Sequence, residues 1–277
     1  MSSSIQTPII AAVFLLAMSF ENALKGLLLS IEKFTQSRTP IPAIMIVANT
    51  LSLVFSPMYV WSLLITSNCQ DSSLATKVSL HFFVNTFSFF LLYKTWVVSR
   101  KNTLVAVGAA ILITDRCIWA LTDCARSKSI QIPQGCYYVQ DKMAVIGIST
   151  GGILVDIFCT GVTILGAFRD LDSQSSSRVQ QIYRILIADN VMRTLSVMAV
   201  NAFTLNYAMY GSLQIISGSP SVLLVIPAIS SYVYTQAINL EFFWINLRRD
   251  VLREPEQRRM ISNISTDKSR RSSSESV

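Results

Sequence analysis

Apolar runs separated by short polar connections dominate the chain, extending over Pro8 to Ile31, Ile41 to Thr66, Leu74 to Ser99, Thr103 to Leu121, Met143 to Phe168, Ile182 to Tyr207 and Pro220 to Leu247. Each is within or just above the ~17 to 25 residues that cross ~30 Å of hydrocarbon. A backbone in lipid has no water to bond with, so a run of this length satisfies its N–H and C=O groups within itself, as a helix. The pattern predicts an all-α integral membrane protein, a seven-transmembrane-helix bundle over 1–247. A basic, Ser-rich tail follows over 248–277. Prolines stand where spans begin, Pro40 and Pro42 before the second and Pro220 before the seventh, and Pro57 inside the second predicts a kink. Gly151-Gly152 in the fifth span predicts close helix packing.

Polar side chains interrupt every run. They are Glu21, Asn22 and Lys25 in the first span, Asn49 in the second, His81, Asn85 and Lys94 in the third, and Asp115 and Arg116 in the fourth. Asp156 lies in the fifth, Asp189, Asn190, Arg193 and Asn201 in the sixth, and Gln236, Asn239 and Glu241 in the seventh. A charge at the centre of a spanning helix costs roughly 2.5 to 3.5 kcal/mol on insertion scales, so these groups are expected to face the protein interior. Counting 1.5 Å per residue sorts them by depth. Lys25, Lys94, Asp189, Arg193, Asn239 and Glu241 fall in the inner half; Glu21, Asn49, Asn85, Asp156 and Asn201 near the middle; Asp115 and Arg116 in the outer half. Glu21 with Lys25, and Asp189 with Arg193, are four apart and can pair along one helix face. His81 and Asn85 are one turn apart and face one direction.

Composition fixes the class and the orientation. The chain of 277 residues is 51% hydrophobic and 14% charged, which leaves no room for a separate soluble domain beside the bundle. No basic segment and cleavage site frame the first run, so it reads as a retained span. Lys and Arg favour the cytoplasmic side. With the N-terminus outside and the C-terminus cytoplasmic, the inner loops, span ends and tail hold Lys33, Arg38, Arg100, Lys101, Arg169, Arg178, Arg184 and the eight basic residues from Arg248 onward. The outer side holds only Lys77, Arg126, Lys128 and Lys142. The net charge of +7 then expresses orientation and attraction to anionic membrane lipids, with no nucleic-acid partner.

Three of the five cysteines, Cys69, Cys124 and Cys136, fall in predicted outer loops, where an oxidising environment permits a disulfide. Cys124 with Cys136, or Cys69 with that loop, are both open. After the seventh span, residues 248–254 suit a short amphipathic helix on the inner leaflet, stopped by Pro255. In the tail, Ser262 and the run Ser272, Ser273 and Ser274 follow paired arginines, a placement that suits basophilic kinases. The sequon at Asn263 lies on the cytoplasmic side and is expected to stay unglycosylated.

Several chemistries are argued down. One histidine, with no Cys, His and acidic cluster at ligand spacing, opposes a metal site. The seventh span has no Lys to carry a retinal, and neither Gly-Xaa-Ser-Xaa-Gly nor a phosphate-cradling Gly loop occurs. No cofactor and no enzymatic activity are expected.

Seven helices, an outside N-terminus, Cys69 before the third helix with cysteines after the fourth, an amphipathic segment after the seventh and a Ser-rich tail together resemble the plan of a G-protein-coupled receptor. The chain is also similar in length and layout to the uncharacterised seven-transmembrane proteins of fungi. The resemblance is architectural. The third helix ends in Tyr93-Lys94-Thr95-Trp96-Val97-Val98-Ser99-Arg100 without the acidic-Arg-aromatic triplet of rhodopsin-like receptors, the sixth lacks Cys-Trp-Xaa-Pro, and Ser231-Tyr232-Val233-Tyr234-Thr235-Gln236 stands where that family has Asn-Pro-Xaa-Xaa-Tyr.

The expectation is a receptor-like plasma-membrane protein. His81, Asn85, Asp115, Arg116 and Asp156 form a pocket for an unknown small ligand, and an inner ionic latch of Lys25, Asp189, Arg193 and Glu241 relays its binding to a cytoplasmic signalling protein such as a G protein. A small-solute or proton-coupled transporter using Glu21, Asp156 and His81 is the alternative, and a structural or scaffolding membrane protein the second.

Overall fold

The computed structural model describes residues 3–64, 68–132, 135–173, 177–210 and 224–244. Six helices are α1 (Ser3–Ser37), α2 (Pro40–Leu64), α3 (Cys69–Val98), α4 (Thr103–Arg126), α5 (Lys142–Ser173) and α6 (Ser177–Tyr210). A seventh, α7, covers residues 224–244. The tail, with Ser262, Ser272, Ser273, Ser274 and the 248–254 segment, lies outside the described residues.

Helix ends follow local chemistry. Asn102 caps α4, its side chain accepting from the Leu104 N–H at 2.8 Å. The turn from α3 into α4 places Arg100 and Lys101 at φ of 57° and 60°. α4 runs to Arg126, a turn beyond the apolar stretch that ends at Leu121, because Asp123 is fully buried against protein and the Thr122 hydroxyl bonds the Ile118 carbonyl of its own helix. Between α4 and α5 the structure adds a feature the hydrophobic pattern does not predict. Strands β1 (Lys128–Ile132) and β2 (Gly135–Val139) form an antiparallel hairpin, with Ser129 opposite Tyr138 and Gln131 opposite Cys136.

Consecutive helices pack side by side, and α3 also touches α5. α7 closes the ring: Ser231 and Asn239 meet α1, Tyr234 meets Phe87 of α3 and Asn201 of α6. α3 is the central column, with 56% of its apolar window buried against 11% for α4. Phe83, Phe87, Phe90, Leu91, Tyr234 and Ile238 form the heart of the apolar core.

The surface is inverted relative to a protein in water. Ile10, Phe14, Leu104, Ile111, Leu121, Leu165, Met192 and Phe243 are exposed, while Asn49, Lys94, Arg116, Asp123, Asp156 and Arg193 are buried. An apolar exterior around a polar interior suits a hydrocarbon solvent. Among the described residues, five helices, α1 to α5, are long and apolar enough to cross a membrane. Over their described residues, α6 and α7 fall below that mark, because Asn190, Arg193 and Asn201 in one, and Gln236, Asn239 and Glu241 in the other, lower their hydropathy. Among the described residues, five of the seven runs expected to span have this character.

Candidate functional site: a hairpin-capped cavity above a buried polar column

The end of the bundle under the hairpin contains two adjoining hollows that share Leu80, Gln140 and Pro227. The upper is walled by apolar Phe55, Leu63 and Leu224, with Tyr59, Thr76 and Lys77 among its polar groups beside Ser62, Ser73 and Gln140. The lower reaches His81, Ser149, Asn201 and Tyr234. Cys69 at the start of α3 and Cys136 on β2 are joined by a disulfide, which ties the hairpin across the upper hollow. Cys124, half buried, is a thiol.

His81 lies against this cavity, but its partner is Asp123, with Nε2 2.8 Å from the carboxylate. Asp123 is fully buried; it also accepts from the Ser127 hydroxyl at 2.6 Å, and Ser127 in turn accepts from the Asp141 N–H at 3.0 Å. Lys77, counted as an outer charge, is 5% exposed and donates to the Ser127 carbonyl at 3.4 Å. Asp123 therefore anchors α3, α4 and the start of α5 together. Sequence reasoning missed it by ending the fourth span at Leu121.

Below the cavity lies a second group. Arg116 of α4 donates from Nη1 to the Ile148 carbonyl at 3.2 Å, and the Tyr234 hydroxyl donates to Asn201 Oδ1 at 2.8 Å. Gly152 makes room for both, since a Cβ there would stand 2.7 Å from Arg116 Nη1 and 2.7 Å from Asn201 Nδ2. Asp156, one turn further along α5, is 1% exposed, and neither carboxylate oxygen has a hydrogen-bond partner among the described residues. The positive charges of Arg193 and Arg116 act on it. Arg193 bonds Asn190 through Nη2, while its Nε and Nη1, like Asn201 Nδ2, have no hydrogen-bond partner among the described residues. Spare buried donors beside a spare buried acceptor are costly as they stand, and they allow more than one pairing scheme.

At the far end, Lys94 of α3 and Glu241 of α7 form a buried ion pair. Of the expected pocket, Arg116 and Asp156 come together. Asp115 is half buried beside Gly151, and Asn85, half buried, neither bonds His81 nor lines the cavity. Of the expected latch, Glu241 pairs with Lys94. Lys25 does not join them: it bonds Glu21 at 2.6 Å, and the two side chains are 68% and 67% exposed on the outer face of α1. The buried face of α1 instead presents Ser19, which meets Ser52, Ser231 and Thr235 at 3.4, 3.0 and 3.3 Å. The Asp189 side chain lies outside the described residues. No group of three metal-ligating side chains occurs among the described residues.

These features define a helical bundle of membrane character with a polar interior and a capped cavity at one end. No protein-family model matches the chain, and no curated protein is similar to it in sequence.

Proposed function

We propose that the chain is a seven-helix plasma-membrane receptor, with its N-terminus and hairpin outside and its basic tail in the cytoplasm. α6 and α7 complete the set of spans, their polar side chains turned to the interior and Met192, Leu195, Phe203 and Phe243 turned to lipid. The hairpin-capped cavity takes a compact ligand with an acceptor that meets Lys77.

One observation carries this reading: the floor of the cavity, Asn201 and Tyr234, is the top of the buried polar column that continues through Arg116, Asp156 and Arg193. A ligand that draws Asn201 or Tyr234 toward itself changes the pairings below and biases the bundle between two arrangements. The inner loops and tail then meet a cytoplasmic signalling protein, a G protein by analogy of plan.

The test is proximity labelling from the inner face in cells, comparing wild type with Tyr234→Phe and Asn201→Ala during a screen of small ligands. Ligand-dependent recruitment of signalling proteins, lost in both variants, supports the receptor. Solute flux without recruitment moves the function to transport.

A further inference from the structure

α1 is packed on one side only. Ala12, Leu16, Ser19, Ala23 and Ser30 are buried against the bundle. Diametrically opposite runs a strict alternation of four and three: Ile10, Phe14, Ala17, Glu21, Leu24, Leu28 and Ile31, all exposed. Such spacing, a 3.5-residue repeat, makes a straight seam along a helix and is the pattern by which two parallel helices supercoil. The adjoining lipid-facing positions carry apolar side chains, but at the centre of the seam stand Glu21 and, flanking it, Lys25.

Their depth follows from the hydroxyl cluster. Ser52 is the middle residue of α2 and lies 3.4 Å from Ser19. At 1.5 Å per residue, Glu21 is about 3 Å and Lys25 about 9 Å along the axis from that level, both within the ~15 Å half-thickness of hydrocarbon. Their mutual bond lowers the cost of exposure, yet an ion pair facing lipid at this depth is still far from water. The His81–Asp123 and Lys94–Glu241 pairs, by contrast, are buried inside the bundle.

We propose that this face of α1 is the contact between two copies of the chain. The charges are self-complementary. Two copies in one membrane are parallel, so a two-fold axis along the membrane normal sets each Glu21 at the same depth as its counterpart and one turn from the other copy's Lys25. Acid and base then alternate around the axis, each Glu21 bonded by its own lysine and by the other copy's. Ala17, the one small side chain of the seam, allows close approach one turn away. A single polar position in an otherwise apolar seam fixes register and partner number. The inference rests on α1 crossing the membrane and not on the receptor reading.

The experiment uses the full chain in native membranes, in a Cys117→Ser background. Oxidation of Ala17→Cys is expected to link copies, while Val107→Cys on the exposed face of α4 does not. Charge reversal by Glu21→Lys in one tagged copy, or Lys25→Glu in another, is expected to lower each variant's self-linking at least about tenfold, since like charges placed together cost several kcal/mol. Co-expressed, the two variants are expected to link to each other at near wild-type yield, which misfolded chains cannot do. Absence of links through Ala17→Cys, links only to a different protein, self-linking indifferent to either reversal, or a mixture no better than its components would each overturn the proposal.

Discussion

Lys94 of α3 and Glu241 of α7 form an ion pair whose side chains are only 6% and 4% exposed, so two helices far apart in the chain are joined by charge inside the bundle. Removing one partner leaves the other charged and buried. Glu241→Ala is expected to destabilise the protein by about 3–5 kcal/mol, whereas Lys94→Leu combined with Glu241→Leu is expected to be near neutral. Thermal unfolding in detergent reads both. A double variant that is stable yet alters the recruitment of signalling proteins would assign the pair to switching.

The His81–Asp123 pair calls for a contrast with Asn85, the next residue on the same helix face. Asp123 carries both the His81 contact and the Ser127 hydroxyl in a fully buried position. Asp123→Leu is therefore expected to cost at least ~1–3 kcal/mol, because it leaves the His81 ring and Ser127 without their acceptor. Asn85→Ala, at a half-buried position, is expected to stay within about 0.5 kcal/mol. Equal losses from the two changes would remove the anchoring role given to Asp123.

The helices were legible because lipid-length apolar runs admit one backbone solution, and so were many polar residues of the interior, though not Glu21 and Lys25, which face outward. Which of them meet was not. Residues 21 and 25 are correctly seen to pair from their spacing, but the same spacing says nothing about which way the pair points, and the buried face of α1 is marked by Ser19, an uncharged residue that hydropathy passes over. Counting residues puts Lys94 and Glu241 in the same inner half, and only the placement of α7 brings the two together. Asp123 and the hairpin were hidden by one assumption, that a helix ends where its apolar run ends. In a bundle, burial against neighbours lets polar residues continue it.

Glycine positions give a prediction about helix separation. A Cβ at Gly147 would fall 2.1 Å from the Trp119 ring of α4, a rigid group with little freedom to withdraw. Gly147→Ala is expected to push α4 from α5 and to destabilise by about 1–3 kcal/mol. Gly161→Ala in the same helix, where nothing lies within 4 Å, is expected to be tolerated or slightly stabilising, since alanine favours the helix. Unfolding midpoints of the two variants give the comparison directly.

The Cys69–Cys136 disulfide ties β2 to the start of α3, and Cys136 is itself 5% exposed and lines the upper hollow. It closes a loop of 67 residues in separation that includes all of α3 and α4. Such a closure restrains the unfolded chain by roughly 2–4 kcal/mol and, in the folded one, keeps the hairpin over the cavity. Cys136→Ser is thus expected to lower the unfolding midpoint and to open the cavity, seen as faster labelling of a cysteine placed at Thr76. Cys124→Ser, which removes a thiol outside the bridge, is expected to change neither. If Thr76→Cys labels at the same rate with and without the bridge, the hairpin is not what limits access to the cavity.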